Sequence, residues 1–233
     1  MLKVVSILCR PGKMDNYAYL LIDENTKTAA VLDASEADPV IRECERQNVK
    51  PQFLLNTHHH FDHVEGNLEL KSLFGAKIVG AAADSDRIDG LDIGLVDGDV
   101  FMIGDCEANI MSADGHTLGH ILWYFPKEKA LFTGDTLFNL SIGGLFEGSP
   151  EQMWKTLQKI KKLPDDVLFY PGHEYTAYGL SALQGKNGEK YAQKTKERLA
   201  KGYSAAPVSL GEEKMCNPYL RIESCQDFCQ MFE

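Results

Sequence analysis

The feature that most constrains this chain is the run Thr57-His58-His59-His60-Phe61-Asp62-His63, which holds four of its seven histidines. The other three fall in two short stretches, Gly115-His116-Thr117-Leu118-Gly119-His120 and Pro171-Gly172-His173. An isolated histidine is ordinarily a core or surface residue. The pattern H-x-H-x-D-H instead packs four nitrogen and oxygen donors into six residues, as a metal site requires. Phe53 to Leu55 reads as a buried strand. In the extended segment that follows, side chains alternate, so His58 and His60 point one way and His59 another. A turn into a helix near Val64 then brings Asp62 and His63 round to a second position. The run offers ligands for two ions, so the fold must bring further ligands to it from elsewhere.

Those ligands are expected at strand ends, where a layered α/β fold gathers its site. His116 follows a strand ending near Met111, Asp135 follows the strand Ala130 to Thr133, and His173 follows Val167 to Tyr170. Each stands near a glycine that permits a sharp turn. Together with the histidine run they make a two-metal set of five histidines and two aspartates.

The rest of the pattern supplies an α/β frame. Leu2 to Leu8, Tyr17 to Ile22 and Ala29 to Leu32 read as strands. A helix follows through Gln47, with Asp38 as its cap, Pro39 in its first turn and Val40, Ile41 and Cys44 as its buried stripe. A second helix is expected from about Val64 to Phe74, with Val64, Leu68 and Leu70 inward, ending at Gly75 before the strand Lys77 to Val79. Beyond the turn Asp97-Gly-Asp99 come the strands Val100 to Ile103, Glu107 to Met111, Ile121 to Phe125 and Ala130 to Thr133. Ser149 opens an S-x-x-Q capping box with Pro150 behind it, and Met153, Leu157 and Ile160 recur at helical spacing beside a core Trp154. After Val167 to Tyr170 the chain becomes helical and polar, with a loop expected at Gln184 to Gly188 and a helix at Glu189 to Lys201. The pattern divides the chain into an α/β body over residues 1–173 and a small helical appendage over 174–233.

Bulk properties narrow the partners. The net charge of −10 disfavours a nucleic-acid surface, which needs clustered Lys and Arg. The apolar run before Arg10 is too short for a signal peptide core or a membrane span. Six scattered cysteines without a CxxC pair suit a reducing cytoplasm, and Cys225 and Cys229, one helical turn apart, read as small apolar residues. A cytoplasmic monomer acting on a small molecule is expected.

The chain closely resembles the metallo-β-lactamase superfamily and, more narrowly, glyoxalase II, the hydroxyacylglutathione hydrolases. The resemblance rests on the histidine run, Gly115-His116-Thr-x-Gly-His120, Thr133-Gly-Asp135-Thr-Leu-Phe138, Glu147-Gly148, Pro171-Gly-His173-Glu-Tyr175 and Asn217-Pro-Tyr-Leu-Arg221, spread over nearly the whole chain. It implies an αββα four-layer sandwich with a small C-terminal helical appendage. It also implies that His58, His60 and His116 hold one divalent ion and Asp62, His63 and His173 the other, with Asp135 bridging. Asp33 would support the histidine loop, and His59 and His120 would make supporting hydrogen bonds. Zinc is the default metal, with iron and manganese as alternatives.

The implied activity is hydrolysis of S-D-lactoylglutathione or a related thioester by a hydroxide bridging two metals, as in methylglyoxal detoxification. Asp62 and Asp135 are the catalytic aspartates in this reading, Asp62 also orienting the hydroxide. Tyr175 matches a substrate-contacting position. Gly144, however, stands where glutathione-using members carry a basic residue, Phe146 stands where they carry tyrosine, and no basic pair follows Arg221. The alternatives are a thioesterase for another thiol, a lactonase, a persulfide dioxygenase, or a metal-binding protein without turnover.

Overall fold

The computed structural model describes residues 1–180, 191, 193–197 and 206–233. They form two compact units, one of residues 1–112 and 119–129, the other of residues 113–118 and 130–233.

In the first unit a six-stranded sheet has the order of the chain: β1 (Leu2–Cys9), β2 (Asn16–Asp23), β3 (Ala29–Leu32), β4 (Pro51–Leu55), β5 (Lys77–Ala81) and β6 (Leu91–Leu95). β1, β2 and β3 run antiparallel, and β3 through β6 are parallel. β2 and β3 are buried along their whole length. They therefore read as unbroken apolar runs rather than as alternation, the mark of a sheet covered on both faces. α1 (Ala37–Gln47) and α3 (Asn67–Phe74) cover one face, setting Val40, Cys44 and Leu70 against Leu20, Val31, Leu54 and Ile78. A set of antiparallel strands, β7 (Val100–Ile103), β8 (Cys106–Ser112) and β9 (Ile121–Phe125), approaches through aromatic edges. Phe53 of β4 meets Phe101 at 5.0 Å, and Phe101 meets Trp123 at 5.7 Å. The Trp123 indole donates to Asn56 O, satisfying its one polar atom.

Two expectations here are corrected. The residue capping α1 is Glu36, whose carboxylate accepts from Arg10 N, and Asp38 lies inside the first turn. The expected helix from Val64 to Phe74 is two: α2 (Phe61–Val64), then α3 beginning at Asn67. The break falls at Gly66, whose N–H donates to Ala34 O at 2.9 Å. A Cβ there would stand 2.7 Å from the same oxygen, so only glycine permits this approach. With the helix axis re-aimed, Leu68 is 52% exposed while Leu70 is buried. β6 went unread because its exposed and half-buried residues, Asp92 and Gly94 among them, break the apolar pattern.

In the second unit β10 (Ala130–Gly134) and β13 (Leu168–Pro171) are parallel, and β14 (Val208–Ser209) adds antiparallel to β13. The C-terminal part of the chain is thus not purely helical. A short hairpin, β11 (Leu137–Phe138) and β12 (Ser141–Ile142), follows β10. α4 (Pro150–Lys161) begins with the expected capping box: Gln152 N donates to Ser149 Oγ, and Ser149 N donates to Gln152 Oε1 at 2.8 Å. Met153, Leu157 and Ile160 are buried. Trp154 is half-buried rather than core, packed at 5.5 Å on Phe228 of α7 (Cys225–Gln230). The Sγ atoms of Cys225 and Cys229 lie 3.9 Å apart as free thiols. α5 (Thr176–Leu180) and α6 (Leu210–Cys216) complete the labelled helices. Of the expected helix Glu189 to Lys201, Tyr191 and residues 193–197 are described and helical, while the expected loop 184–188 lies outside the described residues. Among the described residues no helix is long and apolar enough to cross a membrane.

Candidate metal centre

Asp33 organises the donors of the first unit. It follows β3 in the left-handed region, φ 54°, and its N–H donates to Leu55 O, tying together the ends of the parallel strands β3 and β4. Its buried carboxylate then reaches the histidine run. Oδ1 accepts Thr57 N at 2.8 Å, and Oδ2 accepts the Thr57 hydroxyl at 2.8 Å and faces His63 Nδ1 at 3.1 Å. Because the Thr57 hydroxyl spends its proton on Asp33, its oxygen is left to accept from His58 Nδ1, 3.0 Å away. Both rings therefore carry the proton on Nδ1 and offer Nε2 as a lone-pair donor, the state a metal ligand needs.

The other donors of this unit lie close by. Candidate ligand atoms of His58 fall within 4.8 Å of those of His60 and of His63, and those of Asp62 within 4.8 Å of His63. His60 stands at the N-terminus of α2, so the start of that helix swings Asp62 and His63 away from the extended segment, as the spacing implies. Asn16, at the start of β2, donates through Nδ2 to both Asp62 O and Asp62 Oδ2, at 3.0 and 2.9 Å. His59 turns the other way: its Nδ1 faces Asp84 Oδ2 at 3.2 Å, and Asp84 also pairs with Arg87. His120 stacks on His58, rings 4.8 Å apart and 18° from parallel.

The second unit carries His116, Asp135 and His173, all buried. Asp135 and His173 follow the C-terminal ends of the parallel strands β10 and β13, joined there by the bond from Gly172 N to Gly134 O. Asp135 Oδ2 lies 3.6 Å from His116 Nε2 and 3.2 Å from His173 Nε2. His116 Nδ1 donates to Gly144 O at 2.7 Å, again leaving Nε2 as the donor atom. Gly144 contributes through its backbone carbonyl, a role not foreseen in the sequence. Phe146, 73% exposed, sets its ring edge-on to His116 at 5.1 Å. Tyr175 stacks on His173 at 4.6 Å, and Phe138 stands edge-on to both.

Several positioning groups escaped the sequence reading. Asn16, Asp84 and the Thr57 hydroxyl carry no signal outside the fold. Gly143 did, as half of a Gly-Gly pair: a Cβ on it would stand 1.7 Å from Asp135 O and 3.0 Å from His116 Nδ1. The donor chemistry of both units suits divalent metal. Buried carboxylates are costly unless a cation compensates them, and the oriented imidazoles supply neutral nitrogen donors.

Comparison with known proteins agrees. The model of the metallo-beta-lactamase superfamily matches residues 12–173. A hydroxyacylglutathione hydrolase from Pelagibacter ubique is 42% identical over 222 residues, covering 93% of each chain. A protein of the same name from Rhodobacter capsulatus is 43% identical, over 91% of this chain and 85% of its own. Among solved structures, ETHE1 from Myxococcus xanthus superposes with a TM-score of 0.77 at 23% identity, over 98% of this chain and 89% of its own, which shows the shared fold. The chain belongs to the metallo-β-lactamase superfamily and, within it, to the hydroxyacylglutathione hydrolase family.

Proposed function

We propose that this protein hydrolyses S-(2-hydroxyacyl)glutathione, S-D-lactoylglutathione foremost, to the hydroxy acid and free thiol, as a cytoplasmic monomer in methylglyoxal detoxification. The observation that carries this reading is identity above 40% along almost the full length of relatives that bear that activity in their name. The enzyme is metal-dependent, with zinc the first choice for a set rich in imidazole. In this reading His58, His60 and His116 would hold one ion and Asp62, His63 and His173 the other, with Asp135 serving both. Residues 174–233 supply the substrate-binding region.

Divalent ions in such a set supply Lewis acidity and lower the pKa of water to about 7. The chain does the rest. Asp62, its Oδ2 fixed by Asn16, accepts a hydrogen bond from the attacking water and directs it at the thioester carbonyl. Asp33 and Thr57 hold His58 and His63 in one tautomer throughout. The leaving thiol has a pKa near 8.5, so it departs as thiolate and no general acid is required. Tyr175, Phe146 and the backbone at Gly144 line the thiol side.

A second reading concerns the thiol alone. Gly144 offers no cation and Phe146 no hydroxyl, which favours a carrier with less negative charge than glutathione. A thioesterase assay on protein of known metal content, with S-D-lactoylglutathione beside lactoyl esters of other small thiols, tests both. Rapid turnover of the glutathione ester with about two metals per chain supports the first reading. Turnover of another thioester alone reassigns the carrier. Turnover of a lactone, consumption of oxygen with a persulfide, or no turnover would replace the assignment with another superfamily activity or a non-catalytic role.

A further inference from the structure

The stretch Asn217-Pro218-Tyr219-Leu220-Arg221 follows α6 and binds back onto the hairpin behind Asp135. Asn217 Nδ2 donates to Ser141 O at 3.1 Å and to Glu213 Oε2 at 3.0 Å. Glu213, one turn earlier, is fully buried. Its Oε2 also accepts Leu140 N at 2.9 Å, and Leu140 has φ 65°, a conformation a leucine adopts only when its surroundings hold it. Its Oε1 lies 2.8 Å from Tyr191 Oη.

The proton count around Tyr191 decides the state of Glu213. Thr176 Oγ1 donates to Glu174 Oε1, so it must accept from Asn139, 3.1 Å away, and the Asn139 atom facing it is Nδ2. Asn139 Oδ1 therefore faces Tyr191 and takes its one hydroxyl proton. Tyr191 can then only accept from Glu213, and Glu213 Oε1 can only donate if it carries hydrogen. We propose that Glu213 is a positioning residue that works as a neutral carboxylic acid, its proton bound to Tyr191, and that it fixes the β11–β12 hairpin and the segment bearing His173 and Tyr175.

The surroundings agree with the count. Leu140 N, Asn217 and Tyr191 are neutral partners. Among the described residues, the charged and titratable groups that act on Glu213 are Glu212, whose charge is paired with Lys194, Tyr191 itself and the Cys216 thiol. Lys214 turns away to Leu163 O and Asp165. Burial pushes the Glu213 carboxyl up from 4.5 to about 7. A folded carboxyl raised in this way keeps a proton that the unfolded chain releases. Its contribution to stability is complete below about pH 4.5 and is lost as pH rises to about 7.

Glu213→Gln tests this, because an amide keeps the acceptor for Leu140 and Asn217 and a donor for Tyr191 but does not ionise. Between about pH 5 and pH 8 the wild-type thermal midpoint is expected to fall by a few degrees relative to that of E213Q. An offset that stays constant over this range would overturn the proposal. Should E213Q fail to fold, carbon-13 NMR of the wild-type glutamate carboxyls decides: one group still protonated at about pH 6 is expected, and uniform ionisation refutes it. In kinetics, Glu213→Ala should lower kcat by about tenfold or more and E213Q should restore it. That arm alone rests on the thioesterase reading. A wild type inactive on thioesters would sink the substrate assignment and leave the midpoint and NMR tests standing.

Discussion

Asp33 touches Thr57 twice and His63 once, and through the Thr57 hydroxyl it sets the tautomer of His58 as well. One carboxylate therefore orients two nitrogen donors. Asp33→Asn keeps a residue tolerant of positive φ but cannot accept all of these protons, so metal affinity is expected to fall about 10- to 100-fold. Metal analysis after dialysis checks this; unchanged occupancy would mean that the histidines orient themselves. Gly143→Ala drives a methyl group into Asp135 O and against His116. A displacement of about 1 Å there should cut kcat/KM by roughly 100-fold, with overpacking lowering the unfolding free energy by about 1–3 kcal/mol. Of the residues at this scale, the candidate donors stand out in the sequence because metal binding demands specific side chains at specific spacings. Asn16, Asp84 and Glu213 were not, since a buried amide or carboxyl in a sequence looks like any surface one.

Elements whose signal is local were read almost to the residue. α4 announced itself through Ser149, Pro150 and Gln152, because a cap is a contact among neighbours in sequence. Ser149→Ala should lower unfolding free energy by about 1 kcal/mol without changing kcat/KM, measured by thermal or denaturant unfolding. A change in kcat/KM would show that α4 sets the site rather than only the stability. Elements shaped by distant contacts were misread. The break between α2 and α3 depends on Ala34 meeting Gly66, thirty-two residues away by the numbering. Residue type favours Asp38 as the cap of α1, whereas Glu36 holds that position and is drawn to Arg10 on the adjoining loop.

At the scale of the molecule, metal and stability are linked, because ions bind the native donors and not the unfolded chain. Removing metal with a chelator should lower the thermal midpoint and abolish turnover, and added zinc should restore both. At free metal 100-fold above Kd the stabilisation is about 2.7 kcal/mol. A midpoint indifferent to chelator would refute the metal reading. The sequence by itself determined the candidate donors, their spacing and the strand ends that carry them, because donor chemistry and strand periodicity are written in residue type and separation. Only the tertiary structure decided how those ligands are held. Asp33 and Thr57 settle the tautomers of His58 and His63, Gly143 makes room for Asp135, and Glu213 anchors the hairpin behind it. The bonds from Asp33 to Thr57 and His63, and from Glu213 to Leu140, join residues 24 to 73 positions apart, so they exist only once the chain has folded.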